Sequence, residues 1–112
     1  LDGFRAVYSF SIDSMKLSGN PRFLIDTESA GKKFEPAGIH KSPAGGSFLL
    51  ISSTGSSVIE ISKDGKMIAK EKLNPEIHEQ PEGIAFLKDG TLVISSEGKS
   101  GKGSIAKYPP KK

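Results

Sequence analysis

Two glutamates at the boundaries of a repeated motif are the residues best placed to do chemistry. Glu82 comes at the start of one short apolar run, and Glu97 directly follows the next one. If the two runs are neighbouring strands, both carboxylates meet at one sheet edge, where carbonyls and water would complete a site for a hard cation such as Ca²⁺. A pair of carboxylates also suits acid–base catalysis. The structural alternative is that Glu82 caps a backbone amide and Glu97 is solvated.

The repeat itself favours a site at these glutamates. The first copy has Ala37 where the second has Glu82, and Thr54 where the second has Glu97, so both acids belong to the same copy. We therefore predict Glu82 and Glu97 as metal ligands, with calcium as the ion. No residue is predicted to be catalytic or to bind an organic cofactor.

The remaining candidates favour structural roles. His40 and His78 are 38 residues apart, whereas a zinc site needs more ligands at closer spacing. Both histidines are predicted to be exposed or fully hydrogen-bonded, and His40 is in addition predicted to point toward a channel or a neighbouring blade. Glu35 is predicted to lie in an exposed loop. The chain has no cysteine, which excludes disulfides and thiolate chemistry.

The elements that must position these residues follow from the repeat. Pro-x-Gly-Ile occurs at Pro36 and Pro81, and Ile-Ser-Ser at Ile51 and Ile94, which gives offsets of 45 and 43 residues. The first copy should therefore carry two extra turn residues. A period of about 40–45 residues built from short strands is typical of a β-propeller blade.

The predicted fold is all-β, a partial β-propeller of about two and a third four-stranded antiparallel blades. We count nine strands, among them residues 7–12, 48–52, 92–96 and 104–108. We expect no long helix, since no segment has a clean helical period. Asp64-Gly65 and Asp89-Gly90 predict tight hairpin turns, because glycine tolerates a positive φ. One domain covers the whole chain, with the outer half of a preceding blade at 1–33, a complete blade at 34–79 and a truncated final blade at 80–112.

Composition narrows the function classes. The 112 residues carry a net charge of +3, mix acids with bases and include no apolar run long enough to span a membrane. Lysines cluster in the last 14 residues, but aromatic residues are sparse there, so we predict a solvated terminus and no nucleic-acid partner. Because the chain begins at Leu1 and has no signal-like segment, we expect a piece of a longer protein.

The strings from Phe34 to Ile39 and from Gln80 to Phe86, followed by Asp89 to Leu92 and Ser95 to Gly98, resemble the SdiA-regulated family of bacterial propellers. This resemblance covers most of the chain and is densest from residue 34 to 98. It implies a six-bladed propeller in an exported, periplasmic or envelope-associated protein, and it implies calcium binding. Some relatives resemble phytase-like and esterase-like propellers.

Three functions remain open at this point. The first is a non-enzymatic binding module for a small ligand or protein, with calcium at the channel. The second is a calcium-assisted phosphoester or ester hydrolase that only the full propeller forms. The third is a scaffold that docks another protein. Because repeat units cannot bury their end faces alone, we also expect the remaining blades of the parent, or self-association, to cover apolar residues such as Phe10, Ile12, Ile94 and Ile105.

Overall fold

Antiparallel strands make up the regular structure of the protein. The computed structural model describes residues 4–26, 34–53, 56–98 and 101–110, and no helix occurs within these ranges. The strands are β1 Phe4–Val7, β2 Phe10–Ser11, β3 Lys16–Leu17, β4 Phe23–Asp26, β5 Pro36–Lys41, β6 Ser47–Ser52, β7 Ser57–Ser62, β8 Met67–Lys72, β9 Pro81–Phe86, β10 Leu92–Ser96 and β11 Ser104–Tyr108.

The strands pair as consecutive meanders. β5, β6, β7 and β8 form one four-stranded antiparallel sheet in chain order, and β9, β10 and β11 form a three-stranded one. β1 pairs with β4, and β2 pairs with β3. The all-β prediction is confirmed. The proposed unit bounds at 33/34 and 79/80 remain a prediction.

The first part of the chain has more strands than the sequence predicted. One strand was expected over residues 7–12, but the structure divides this segment into the end of β1 and the strand β2. The number of strands in the described ranges is therefore eleven, whereas nine were predicted. Backbone bonds from Ser18 to Ser9 and from Arg22 to Val7 continue the hairpin across the break. The four-residue step from Ser18 to Arg22 therefore lies opposite the two-residue step from Val7 to Ser9. Pro21, within the longer segment, has no backbone N–H to donate.

The core lies in two layers, one on each face of the complete blade. Leu50 of β6 packs with Phe23 and Ile25 of β4 on one face, and Ile51 packs with Ile84 and Ile94 on the other. Successive side chains of a strand point to opposite faces, so an uninterrupted apolar run is what a strand covered on both faces requires. The expectation that Ile94 lies on an uncovered face is wrong, because Ile94 is only 1% exposed.

The two Pro-x-Gly-Ile motifs bring the inner strands of adjacent sheets together. β9 packs against β5 and β6. A Cβ added to Gly38 would lie 2.8 Å from the carbonyl oxygen of Glu82 and 3.2 Å from Cγ2 of Ile51. Glycine at this position therefore permits a backbone approach that no side chain would allow.

Strand pairing also corrects the alignment of the two copies. Pro36 pairs with Ser52 in one sheet, and Pro81 pairs with Ser96 in the other. Ser52 and Ser96 are thus equivalent at an offset of 44 residues, whereas the sequence predicted 43. The first copy has one extra residue in the β5–β6 turn instead of two.

Candidate functional site

Glu82 is the extra residue of a β-bulge at the start of β9. Pairing of β9 with β10 shifts register between Pro81, which pairs with Ser96, and Gly83, which pairs with Ser95. The same shift occurs at Ala37 in the first copy. Bulges redirect a side chain away from the normal alternation of a strand, and Glu82 is exposed there.

Glu97 directly follows β10 and is held by the segment that precedes β9. Its backbone amide donates to the carbonyl of Gln80 at 3.1 Å, and the amide of Gly98 donates to the carbonyl of Glu79 at 3.1 Å. Gln80 has a positive φ of 51°, which a non-glycine residue seldom adopts. The corrected offset makes Ser53 the counterpart of Glu97. The predicted counterpart, Thr54, lies outside the described residues.

Both predicted glutamates line one polar groove of about 610 Å³. The groove lies where β9 begins and β10 ends, and it is bordered by the crossing segment 74–80. Its lining residues are Ser53, Ser56, Pro75, Glu76, His78, Glu79, Gln80, Glu82 and Glu97. Four of these residues are glutamates, and this described lining includes no lysine or arginine. The structure therefore places Glu82 and Glu97 together, as their positions in the repeat predicted.

The described part of the groove does not bring three side-chain metal ligands together. Across the described ranges, no group of three or more His, Asp or Glu side chains is arranged to hold a metal ion. Whether Glu82 and Glu97 bind a metal as a pair remains a prediction. The groove nevertheless concentrates negative charge on a protein whose net charge is +3.

His78, on the crossing segment, is a buried member of the groove that the sequence did not identify. It is 1% exposed, and its ring stacks on Tyr108 of β11 with centroids 5.8 Å apart. Nε2 lies 2.5 Å from the Tyr108 hydroxyl, whereas Nδ1 is buried without a hydrogen-bond partner among the described residues. Burial lowers the pKa of His78 below its ordinary value of 6.5. The expectation of an exposed or fully hydrogen-bonded side chain is therefore wrong for His78.

The other candidates lie elsewhere. His40 packs edge-on against Phe86 of the neighbouring inner strand, at 5.5 Å between centroids, so of the two predicted orientations the contact matches the one toward a neighbouring blade. Its Nδ1 lies 2.7 Å from the carbonyl oxygen of Lys41. Glu35 is exposed, and it borders a separate groove between β1 and β5.

Comparison with known proteins identifies the family. The model of the SdiA-regulated family matches residues 19–102, three quarters of the chain. The chain belongs to the SdiA-regulated family. The resemblance of the two Pro-x-Gly-Ile strings is thereby confirmed.

A solved structure supports the propeller fold. A luciferin-regenerating enzyme superposes with a TM-score of 0.62 over 89% of this chain, at 17% sequence identity. The match covers 36% of that enzyme's chain, so this SdiA-regulated chain spans about a third of it. At such low identity the likeness shows the fold alone, and it confirms the partial β-propeller.

No curated protein has a matching sequence. Within the described ranges, no helix is long and apolar enough to cross a membrane.

Proposed function

We propose that this SdiA-regulated chain is a non-enzymatic binding module of an exported or envelope-associated propeller, and that its ligand site is the acidic groove. The proposal rests on one observation: Glu82 and Glu97, the acids that distinguish the second repeat from the first, line the same cavity. Concave sites with a few placed polar groups are the usual form of ligand pockets. Calcium is the ion we propose for this pair, and we propose the exported location on the family resemblance alone.

The residues of the groove fit a weak calcium site. Two glutamates supply at most four oxygens, whereas calcium takes about six to eight. Hydroxyls of Ser53 and Ser56, which line the groove, and water would have to supply the others. Such an incomplete set suits the affinity of extracellular calcium modules, with Kd of about 10⁻⁴–10⁻³ M.

Calcium titration followed by thermal unfolding tests this proposal. A ligand that binds only the folded chain raises its stability by mass action, so millimolar calcium should raise Tm and magnesium should raise it less. Glu82→Gln or Glu97→Gln should abolish most of the shift. Glu71→Gln, which removes an exposed carboxylate on β8 outside the groove, is the matched control. A calcium shift that survives both groove substitutions, or no shift in wild-type chain, would refute a calcium site at this pair.

The hydrolase remains a second candidate because two carboxylates in one groove also suit acid–base work. This activity would require the complete ring, so its test uses the full-length parent and generic phosphoester and ester substrates. We expect Glu82→Gln to lower turnover while substrate is still bound. Turnover that Glu82→Gln and Glu97→Gln leave unchanged would exclude both residues from any such reaction.

A further inference from the structure

The crossing segment 74–80 has a single buried side chain, that of His78. The His78 ring stacks on Tyr108 of β11, and its Nε2 is within hydrogen-bond distance of the Tyr108 hydroxyl. Within the segment, the backbone amides of Ile77 and His78 both donate to the carbonyl of Asn74. The side chain that buries this segment is therefore an imidazole, which can gain a charge near neutral pH.

The crossing segment also holds the backbone around both groove glutamates. The carbonyl of Gln80 accepts the amide of Glu97, and the carbonyl of Glu79 accepts the amide of Gly98. Gln80 has a φ of 51°, a conformation that a non-glycine residue keeps only where its surroundings hold it. The bulge that carries Glu82 follows directly in the chain. A movement of the segment would therefore change the positions of Glu82 and Glu97 relative to each other.

A charged His78 does not fit its docked position. Nδ1 is buried and has no hydrogen-bond partner among the described residues. A charged imidazole carries an N–H on both nitrogens, so Nδ1 would become a buried donor without an acceptor, whichever nitrogen carries the proton of the neutral ring. Such a group destabilises the state that buries it. Protonation of His78 therefore favours release of the segment.

The acidic surroundings of His78 do not reverse this preference. The titratable groups that line the groove or touch the ring are Glu76 and Glu79 of the segment itself, Glu82 of β9, Glu97 after β10 and Tyr108 of β11. Carboxylates nearby would favour the charged ring, yet desolvation by burial lowers the pKa of His78. The charged form is thus less stable in the docked position than in water.

We propose that His78 is a pH-sensitive latch, whose protonation releases the crossing segment from Tyr108 and thereby weakens ligand binding at Glu82 and Glu97. The segment is docked above about pH 6.5, the pKa of a free histidine, and is released as the pH falls toward the lower pKa of the docked ring. This inference rests on the proposed function only in taking calcium as the ligand. Release of the segment itself requires no ligand.

Hydrogen exchange of the whole chain in calcium-free buffer tests the release. Between about pH 7.5 and pH 5.5, after correction for the intrinsic exchange rates, the amides of Ile77, His78 and Glu97 should lose protection together. The amides of Leu87 and Gly90, which are bonded within the β9–β10 hairpin, should keep theirs and so exclude global unfolding. His78→Phe retains a ring that can stack but cannot be charged, so its segment should remain protected at the lower pH.

Calcium titration followed by NMR, at the same two pH values, tests the effect on the groove. We expect the wild-type Kd to rise about three- to tenfold at the lower pH, as when the docked fraction falls to about a third to a tenth. Most glutamates are still ionised there, since their ordinary pKa is about 4.3. His78→Phe should bring the ratio of the two Kd values close to one. Because coupling is reciprocal, calcium should also lower the pH at which the His78 ring titrates.

The outcomes separate the latch from the calcium site. Loss of protection without calcium binding supports the latch and refutes the calcium module, whereas calcium binding with unchanged protection overturns the latch and leaves the module intact. A rise in Kd that persists in His78→Phe would assign the pH effect to the carboxylates and overturn the role of the histidine. If His78→Phe fails to fold, NMR titration of the wild-type ring carries the test, and a midpoint at or above about 6.5 overturns the latch.

Discussion

A single missing methyl group at Gly38 determines how closely two inner strands approach. We predict that Gly38→Ala destabilises the chain by about 1–3 kcal/mol, the usual cost of inserting a carbon into a packed site. The new Cβ would meet the carbonyl oxygen of Glu82 at 2.8 Å, which is backbone and cannot rotate away. Chemical denaturation measures the loss. Gly19→Ala is the control, because a Cβ added there would have no neighbouring atom within 4 Å, and equal losses in both variants would contradict the argument.

His78 should make stability depend on pH in a defined direction. Burial lowers the pKa of His78 in the folded chain below its ordinary value of 6.5. Below pH 6.5 the unfolded chain therefore binds more protons than the folded chain, and the stability decreases as the pH decreases. This contribution is fully present above about 6.5 and is lost as the pH falls toward the folded pKa. Urea denaturation between about pH 8 and pH 5 measures it.

One substitution identifies the histidine responsible. His78→Gln should flatten the slope. A slope that persists in the His78 variant would assign the effect to another group.

Two of the four groove glutamates, Glu82 and Glu97, were predictable from the sequence, whereas Glu76, Glu79 and the buried histidine were not. Glu82 and Glu97 stand at fixed places in a repeat, so their common edge follows from strand alternation alone. The partner of His78 is Tyr108, 30 residues away on β11, and no periodic pattern links the two. The assignment of Ser53 as the counterpart of Glu97 likewise depended on the strand register in the structure. One residue more or less in a turn shifts the alignment of the two copies by one position.

At the scale of elements, two Asp-Gly hairpins with the same backbone conformation differ in what they touch. Gly65 and Gly90 both have a φ of +91°, but a Cβ on Gly65 would overlap the carbonyl of Leu24 on β4, whereas one on Gly90 would make ordinary contact with Pro110. Gly90→Ala should therefore cost about 1–2 kcal/mol for the left-handed conformation alone. Gly65→Ala should cost about 1–3 kcal/mol more, because it also separates β4 from the β7–β8 turn.

Thermal or chemical denaturation of the two variants under one set of conditions gives the difference. Equal losses would mean that the turn of the complete blade does not support the preceding hairpin. The aspartates of the two turns do not explain a difference between the variants, because the pKa of each is lowered in the same way. A hydrogen bond from Ser62 lowers the pKa of Asp64, and one from Thr91 lowers the pKa of Asp89. Their contributions are present above about pH 3.8 and are lost on acidification below it, so the comparison is best made near neutral pH.

Elements with alternating or continuous apolar patterns were predictable, and the interrupted hairpin was not. Strands β10 and β11 have the predicted bounds, and β6 begins one residue earlier. The break between β1 and β2 arises because residues 18–22 are two longer than the arm they face. The difference in length becomes visible only when the two paired segments are compared, and the hydrophobic pattern along a single strand does not show which residues pair.

For the whole molecule, the propeller architecture followed from the period, since a repeat of short strands stacks its sheets face to face. The complete blade is covered on both faces by the sheets beside it. The outer sheets have a neighbour on one side, and several large apolar side chains there are exposed, among them Ile12 at 80% and Ile105 at 67%. Uncovered apolar surface of this kind favours association.

We therefore predict that the chain self-associates at high concentration, which sedimentation equilibrium would measure. Ile12→Lys and Ile105→Lys, on the first hairpin and on β11, should each shift the distribution toward monomer by placing a charge where apolar faces would meet. Ile77→Lys makes the same chemical change at a residue of the crossing segment that is 55% exposed, so it should have little effect. If all three variants dissociate the assembly equally, added charge alone explains the result. A wild-type chain that stays monomeric throughout would show that its end sheets do not need covering.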